Sequence, residues 1–145
     1  MAIKAVFFDF DGTILDTNDI KLDTFYEVVK DIDHGKENLN KLLSLPDTGD
    51  RFDIFKKLAK KIDLDNSAII ERDLILKYTK ITNQKISIAR EIEGVTSFLK
   101  FLFNEGILVF ISSATPELFL KNLVYKRNFS KYICDIYGSP KRKEE

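Results

Sequence analysis

The run Ile3-Lys4-Ala5-Val6-Phe7-Phe8-Asp9-Phe10-Asp11-Gly12-Thr13 constrains the fold more than any other stretch of the chain. From Ile3 to Phe10 it is rich in β-branched and aromatic residues and too short for a helix, and Gly12 and Thr13 break it. That combination predicts a buried strand. Apolar strands of this kind belong to parallel sheets covered on both faces. This one ends in two carboxylates, at the place where open α/β sheets bind ligands, beyond the carboxyl ends of their strands.

After Asp16 the period changes to that of helices. Leu22, Phe25, Tyr26 and Val29 repeat at i, i+3, i+4, i+7, and further helices are predicted over roughly 37–43, 51–62 and 67–81. The stretch Ser44 to Asp50 is a loop on its turn chemistry. A second pattern begins near Glu91. Val95, Phe98, Leu99, Leu102 and Phe103 form a helical stripe that Gly106 stops. Ile107 to Ile111 reads as a second buried strand. Thr115 and Pro116 read as N-cap and first residue of a helix reaching about Arg127. Ile133 to Tyr137 is the third strand, closed by Gly138-Ser139-Pro140. Strands alternating with helices predict an α/β class, a Rossmann-like three-layer parallel sheet. Its core is discontinuous, residues 1–16 and 89–145, and residues 17–88 form an inserted all-α domain.

Twenty-three basic and 23 acidic side chains cancel, so no global field invites nucleic acid or an acidic membrane. An anionic ligand must be held by a local site. The single cysteine, Cys134, has no internal partner for a disulfide, which fits a reducing compartment. Its apolar neighbours Tyr132 and Ile133 predict a small buried hydrophobe. Asp9 and Asp11 interrupt the N-terminal apolar run, against a signal peptide or membrane span. The expected location is cytoplasmic.

Asp9 and Asp11, two residues apart on an extended chain, project to the same side. That spacing suits a shared hard cation, and magnesium takes one or two carboxylates plus phosphate oxygens. Gly12 lets the backbone turn sharply and approach a ligand closely.

The segment Val6-Phe7-Phe8-Asp9-Phe10-Asp11-Gly12-Thr13-Ile14-Leu15-Asp16-Thr17 resembles the first motif of the haloacid dehalogenase-like hydrolase superfamily, in its phosphoglycolate phosphatase and β-phosphoglucomutase branch. In that branch a helical cap is inserted directly after the motif, in agreement with the helical block here. The resemblance implies that Asp9 is the phosphoryl-accepting nucleophile and Asp11 the general acid and base, with both on magnesium. It implies a Ser or Thr ending the second strand, Ser112 with Ser113 one register away, and a Lys after the third, Lys143 in preference to Lys141. Gly12, Thr13 and Ser113 then line the substrate site, and Arg51, in the cap loop Ser44 to Arg51, is the candidate clamp for a second anionic group. The bland alternatives are a strand-end hydroxyl for Ser112, a tail lysine for Lys143 and an exposed helix-start residue for Arg51. His34 reads as a solvated residue at a helix end, and the pairs Lys56-Lys57 and Lys60-Lys61 as the wet face of an amphipathic helix.

The family's fourth motif, an acidic pair after a further strand, does not follow Lys143 in this sequence. Gly49-Asp50-Arg51-Phe52-Asp53 imitates it inside the helical insertion but reads as a loop and helix start. The expectation is therefore a fragment of a longer protein, or a sheet completed by a homo-oligomer or a strand swap. Its first strand would lie at an exposed edge. The expected function is a magnesium-dependent phosphatase of small phosphorylated metabolites. Alternatives are a sugar-phosphate mutase, a catalytically impaired binding protein, and a signalling receiver domain. The receiver carries its phosphorylated Asp after the third strand and lacks the insertion.

Overall fold

The computed structural model describes residues 3–139. The elements run β1 (Ala5–Phe8), α1 (Asn18–Val29), α2 (Gly35–Leu43), α3 (Arg51–Ile62), α4 (Ser67–Ser87), α5 (Val95–Asn104), β2 (Leu108–Pro116), α6 (Glu117–Tyr125), a short 3-10 segment (Asn128–Tyr132) and β3 (Asp135–Ser139). The strands form one parallel sheet in the order β1-β2-β3. This is the Rossmann-like α/β fold that the alternation of strands and helices predicts. The chain divides into two compact units, one holding the described residues up to Asn18 and from Ser87 onward, the other Asp19–Ile86.

In the α/β unit, Ala5 pairs with Leu108 and Phe8 with Ile111, and Ile111 pairs in turn with Ile136. Right-handed crossovers taken in one direction across the sheet put α5 and α6 on the same face. Val109, Ile111 and Ile136 are buried on that face, and Phe8 meets Phe98 of α5 edge-on at 6.1 Å. On the other face Phe7 stacks on Phe110 at 4.8 Å, and Phe110 lies 6.3 Å from Tyr137.

The first strand was expected to be buried on both faces, and this is corrected. Ala5 is exposed and Phe7 is 63% exposed, because they lie on the face opposite α5 and α6, in a strand at the edge of the sheet formed by the described residues. Cys134, expected inside, is also exposed. It precedes the pleat of β3, where its N–H reaches the Val109 carbonyl at 2.7 Å. The apolar run Ile133-Cys134 thus leads into the strand instead of filling the core. Thr115 and Pro116 belong to β2, and Pro116 stands at the N-cap of α6 with no side-chain cap.

The helical unit closes on its own core of Phe25, Val28, Val29, Leu39, Leu42, Ile54, Phe55, Leu58, Leu74 and Tyr78. α3 begins as read. Asp50 accepts from the Phe52 and Asp53 N–H groups at 2.8 and 3.1 Å, and Asp53 accepts from the Asp50 N–H at 3.2 Å. The Gly-Asp-Arg-Phe-Asp stretch is therefore a capping box, whose two carboxylates satisfy the orphan donors of a helix start. α4 runs to Ser87, past the predicted end near 81. Its inward stripe Leu74, Tyr78, Thr82, Ile86 continues at four-residue steps through a threonine, which apolar periodicity alone passes over. His34 has φ 52 and stands at the entry to α2, not at the end of α1.

Candidate active site

The turn after β1 is wound around one carbonyl. The N–H groups of Thr13, Ile14 and Leu15 point at the Phe10 carbonyl oxygen at 3.3, 2.9 and 3.2 Å, and the Gly12 N–H bonds the Leu15 carbonyl at 2.8 Å. Phe10, Ile14 and Leu15 are fully buried and anchor the turn. Gly12 has φ +71, and a Cβ there would lie 2.5 Å from Asn18 Nδ2. The left-handed backbone therefore disfavours any side chain at this position, and one placed there would also have to displace the Asn18 amide. The far side of the turn is fastened by Asp16 N–H to the Arg90 carbonyl and Ile92 N–H to the Ile14 carbonyl, each 2.9 Å.

This rigid turn holds Asp9 and Asp11 at the tip of β1. Asp9 is exposed and Asp11 half-buried. Thr17 Oγ1 donates to Asp11 Oδ1 at 3.0 Å, and Thr115 Oγ1, from the end of β2, donates to Asp11 Oδ2 at 3.0 Å. Thr17 is fully buried. Both oxygens of one carboxylate are thereby held by hydroxyl donors, one 6 and one 104 residues away. Ser113 is 3% exposed, and its Oγ accepts from the Thr115 N–H at 3.1 Å, which leaves its O–H proton able to donate. Ser112 is half-buried and sits in regular register opposite Tyr137, whose hydroxyl is pushed up in pKa by desolvation and then by Asp135. Thr13 is exposed.

The structure places Asp9, Asp11, Gly12 and Thr13 just beyond the end of β1, and Ser112 and Ser113 in the adjacent β2, which continues past the strand end expected at Ser112 as far as Pro116. Sequence reasoning missed Thr17 and Thr115 as partners of Asp11. Thr17 lies inside the motif, and the hydroxyl type at that position was the available signal. Thr-Pro is a strong helix-start signature and points Thr115 to a cap, which hides its role beside Asp11. Arg51 opens α3 in the helical unit, where its guanidinium lies 4.7 Å from the Phe52 ring centroid and its buried Nε has no hydrogen-bond partner. Lys143 and Lys141 lie outside the described residues.

Among the described residues no three acidic, His or Cys side chains converge as a metal cluster. The donors present are still suited to magnesium, which takes one or two carboxylates and completes its shell with water and phosphate oxygens.

The model of the haloacid dehalogenase-like hydrolase family matches residues 6–145, nearly the whole chain. The chain belongs to the haloacid dehalogenase-like hydrolase family. Solved structures agree in fold. A proposed β-phosphoglucomutase of Thermotoga maritima superposes with a TM-score of 0.68 at 16% identity, over 97% of this chain and 63% of its own. A predicted phosphoglycolate phosphatase of Haemophilus somnus gives 0.64 at 14% identity, over 97% of this chain and 64% of its own. A proposed hydrolase of the same family from Bacillus subtilis, bound to magnesium, gives 0.60 at 14% identity, over 96% of this chain and 64% of its own. This chain thus spans less than two thirds of the length of these proteins. No curated protein matches it in sequence. Among the described residues no helix is long and apolar enough to cross a membrane.

Proposed function

We propose that this member of the family carries the site of a magnesium-dependent phosphatase for small phosphorylated metabolites. The observation that carries the reading is the pair Asp9 and Asp11 at the tip of β1, with the Asp11 carboxylate gripped from β2 by Thr115. Phosphoryl transfer asks for in-line positioning and for neutralisation of charge on the transferred oxygens. A bound magnesium ion, held at Asp9 and Asp11, would supply that neutralisation.

In this reading an Asp9 carboxylate oxygen attacks phosphorus as the bond to the leaving oxygen breaks. Asp11, entering as the acid, gives its proton to that oxygen, and the phosphoryl group rests on Asp9 as an acyl phosphate. Asp11 then takes a proton from the attacking water, and phosphate departs. A hydroxyl from the end of β2 donates to a phosphoryl oxygen. Ser113 suits this better than Ser112, because it lies in the irregular segment that also turns Thr115 to Asp11. Lys143 is proposed as the neutralising cation and Arg51, with its unpartnered Nε, as the residue for a second anionic group. A phosphomutase would use the same first half-reaction and return the phosphoryl group to a sugar instead of to water.

The test is hydrolysis of p-nitrophenyl phosphate and phosphoglycolate with magnesium. Wild type is expected to turn over, and Asp9→Asn to lose on the order of 10³-fold or more. An Asp9→Asn enzyme as active as wild type would remove the nucleophile assignment. Transfer to a sugar phosphate without phosphate release would favour the mutase.

A further inference from the structure

We propose that Thr115 is a positioning residue for Asp11, delivered to it by an irregularity at the end of β2; the inference rests on the phosphatase reading above. β2 and β3 run in regular register to the pair Ser112 and Tyr137, and the next pair is Pro116 and Ser139. Four steps along β2 therefore match two along β3, so Ser113, Ala114 and Thr115 leave the ladder as a bulge. Bulges re-aim side chains and are common beside active sites. Here the re-aimed group is the Thr115 hydroxyl, which reaches Asp11 Oδ2 at 3.0 Å.

Two further features hold the bulge in shape. Ser113 Oγ accepts the Thr115 N–H from within, at 3.1 Å. From β3, Gly138 lies so close that a Cβ there would stand 2.5 Å from Glu117 Cα and 2.6 Å from the Thr115 carbonyl oxygen. The Gly138 N–H also donates to Glu117 Oε2 at 3.3 Å. Gly138 has no positive φ, so the need for glycine at this position is one of space alone. The absent side chain on β3 thus lets the backbone of residues 115–117 sit where the Thr115 hydroxyl meets Asp11. Thr17 holds the other oxygen of that carboxylate, so Thr115 sets the plane of the group about the Thr17 contact.

The consequence falls on the leaving group. Protonation by Asp11 matters most when the departing oxygen is a poor leaving group, as in the alkyl ester phosphoglycolate, and least for p-nitrophenolate. Thr115→Val keeps the shape and removes the hydroxyl. It is expected to lower kcat for phosphoglycolate roughly ten- to hundredfold, with KM little changed and a much smaller loss with p-nitrophenyl phosphate. Thr115→Ser is expected to recover most of the loss, and Gly138→Ala to reproduce the split by displacing the bulge. Thermal unfolding shows which variants are folded, and Thr115→Ala substitutes for Thr115→Val if the latter is not.

Equal losses on the two substrates, no loss at all, or a serine variant no better than valine would overturn this inference, while an inactive Asp9→Asn would leave the phosphatase reading intact. A wild type inert towards both esters would overturn both.

Discussion

In the helical unit Phe25, Phe55 and Tyr78 meet with ring centroids 4.6 to 5.4 Å apart, and all three are buried. In the α/β unit Phe7, Phe98, Phe101, Phe103 and Tyr125 are each at least half exposed, whereas Phe52 is the one comparably exposed aromatic among the described residues of the helical unit. The helical unit follows from amphipathic stripes that fold onto each other, so its core is closed by its own periodicity. The α/β unit arranges a sheet whose first strand is an edge of the described residues, and a side-chain hydrogen bond that spans 104 residues lies at the strand tips. Asp11 draws donors from positions 17 and 115, and Gly138 backs the segment that supplies the second. One unit is organised around apolar burial and the other around a site.

Substitutions can break that contrast. The largest expected effect is Phe55→Ala, which empties a fully buried position in the helical core and should cost about 3–5 kcal/mol in denaturant unfolding. Phe7→Ala, at a 63% exposed position, should cost no more than about 1 kcal/mol. Comparable losses at the two sites would mean that the Phe7 face is covered in solution, and sedimentation of wild type against Phe7→Ala would then show whether a second copy covers it. Next comes Gly138→Ala, where the new Cβ overlaps backbone and overpacking should cost about 1–3 kcal/mol. Gly94→Ala, with φ +83 but open space around it, should cost about 1 kcal/mol, from backbone strain alone. Asp50→Ala removes the N-cap of α3 and is expected to cost about 1 kcal/mol.

The smallest effect concerns pH. Lys85 Nζ donates to Glu27 Oε2 at 2.6 Å across 58 residues, and that hydrogen bond holds the Glu27 carboxyl below its ordinary value of 4.5. A carboxyl depressed on folding contributes stability above its unfolded value and loses it as pH falls through the folded one. Thermal midpoints measured from pH 7 downward should therefore fall less steeply below about pH 4.5 in Glu27→Gln than in wild type. Both side chains are more than a third exposed, so solvent screens the pair and the difference will be small.

Much of this was legible before any coordinates. Periodicity placed α3 at residues 51–62, and Asp9-Phe10-Asp11-Gly12-Thr13 placed the carboxylates and their turn, because each depends on contacts within a few residues. The end of α4 is hidden for a local reason, a threonine in the inward stripe. Other features depend on distant neighbours. Whether Phe7 is covered depends on what packs on its face of the sheet, and whether Cys134 is buried depends on where the pleat of β3 starts.

By itself, then, the sequence determined the fold class, the helical insertion and the acidic tip of the first strand, since short-range patterning encodes all three. Only the tertiary structure decided that Thr115 serves Asp11 instead of capping α6. That assignment needs β1, β2 and β3 side by side, with a bulge in one strand and a missing side chain in the next, and no local pattern specifies whether a hydroxyl will accept from helix N–H groups or donate to a carboxylate 104 residues away.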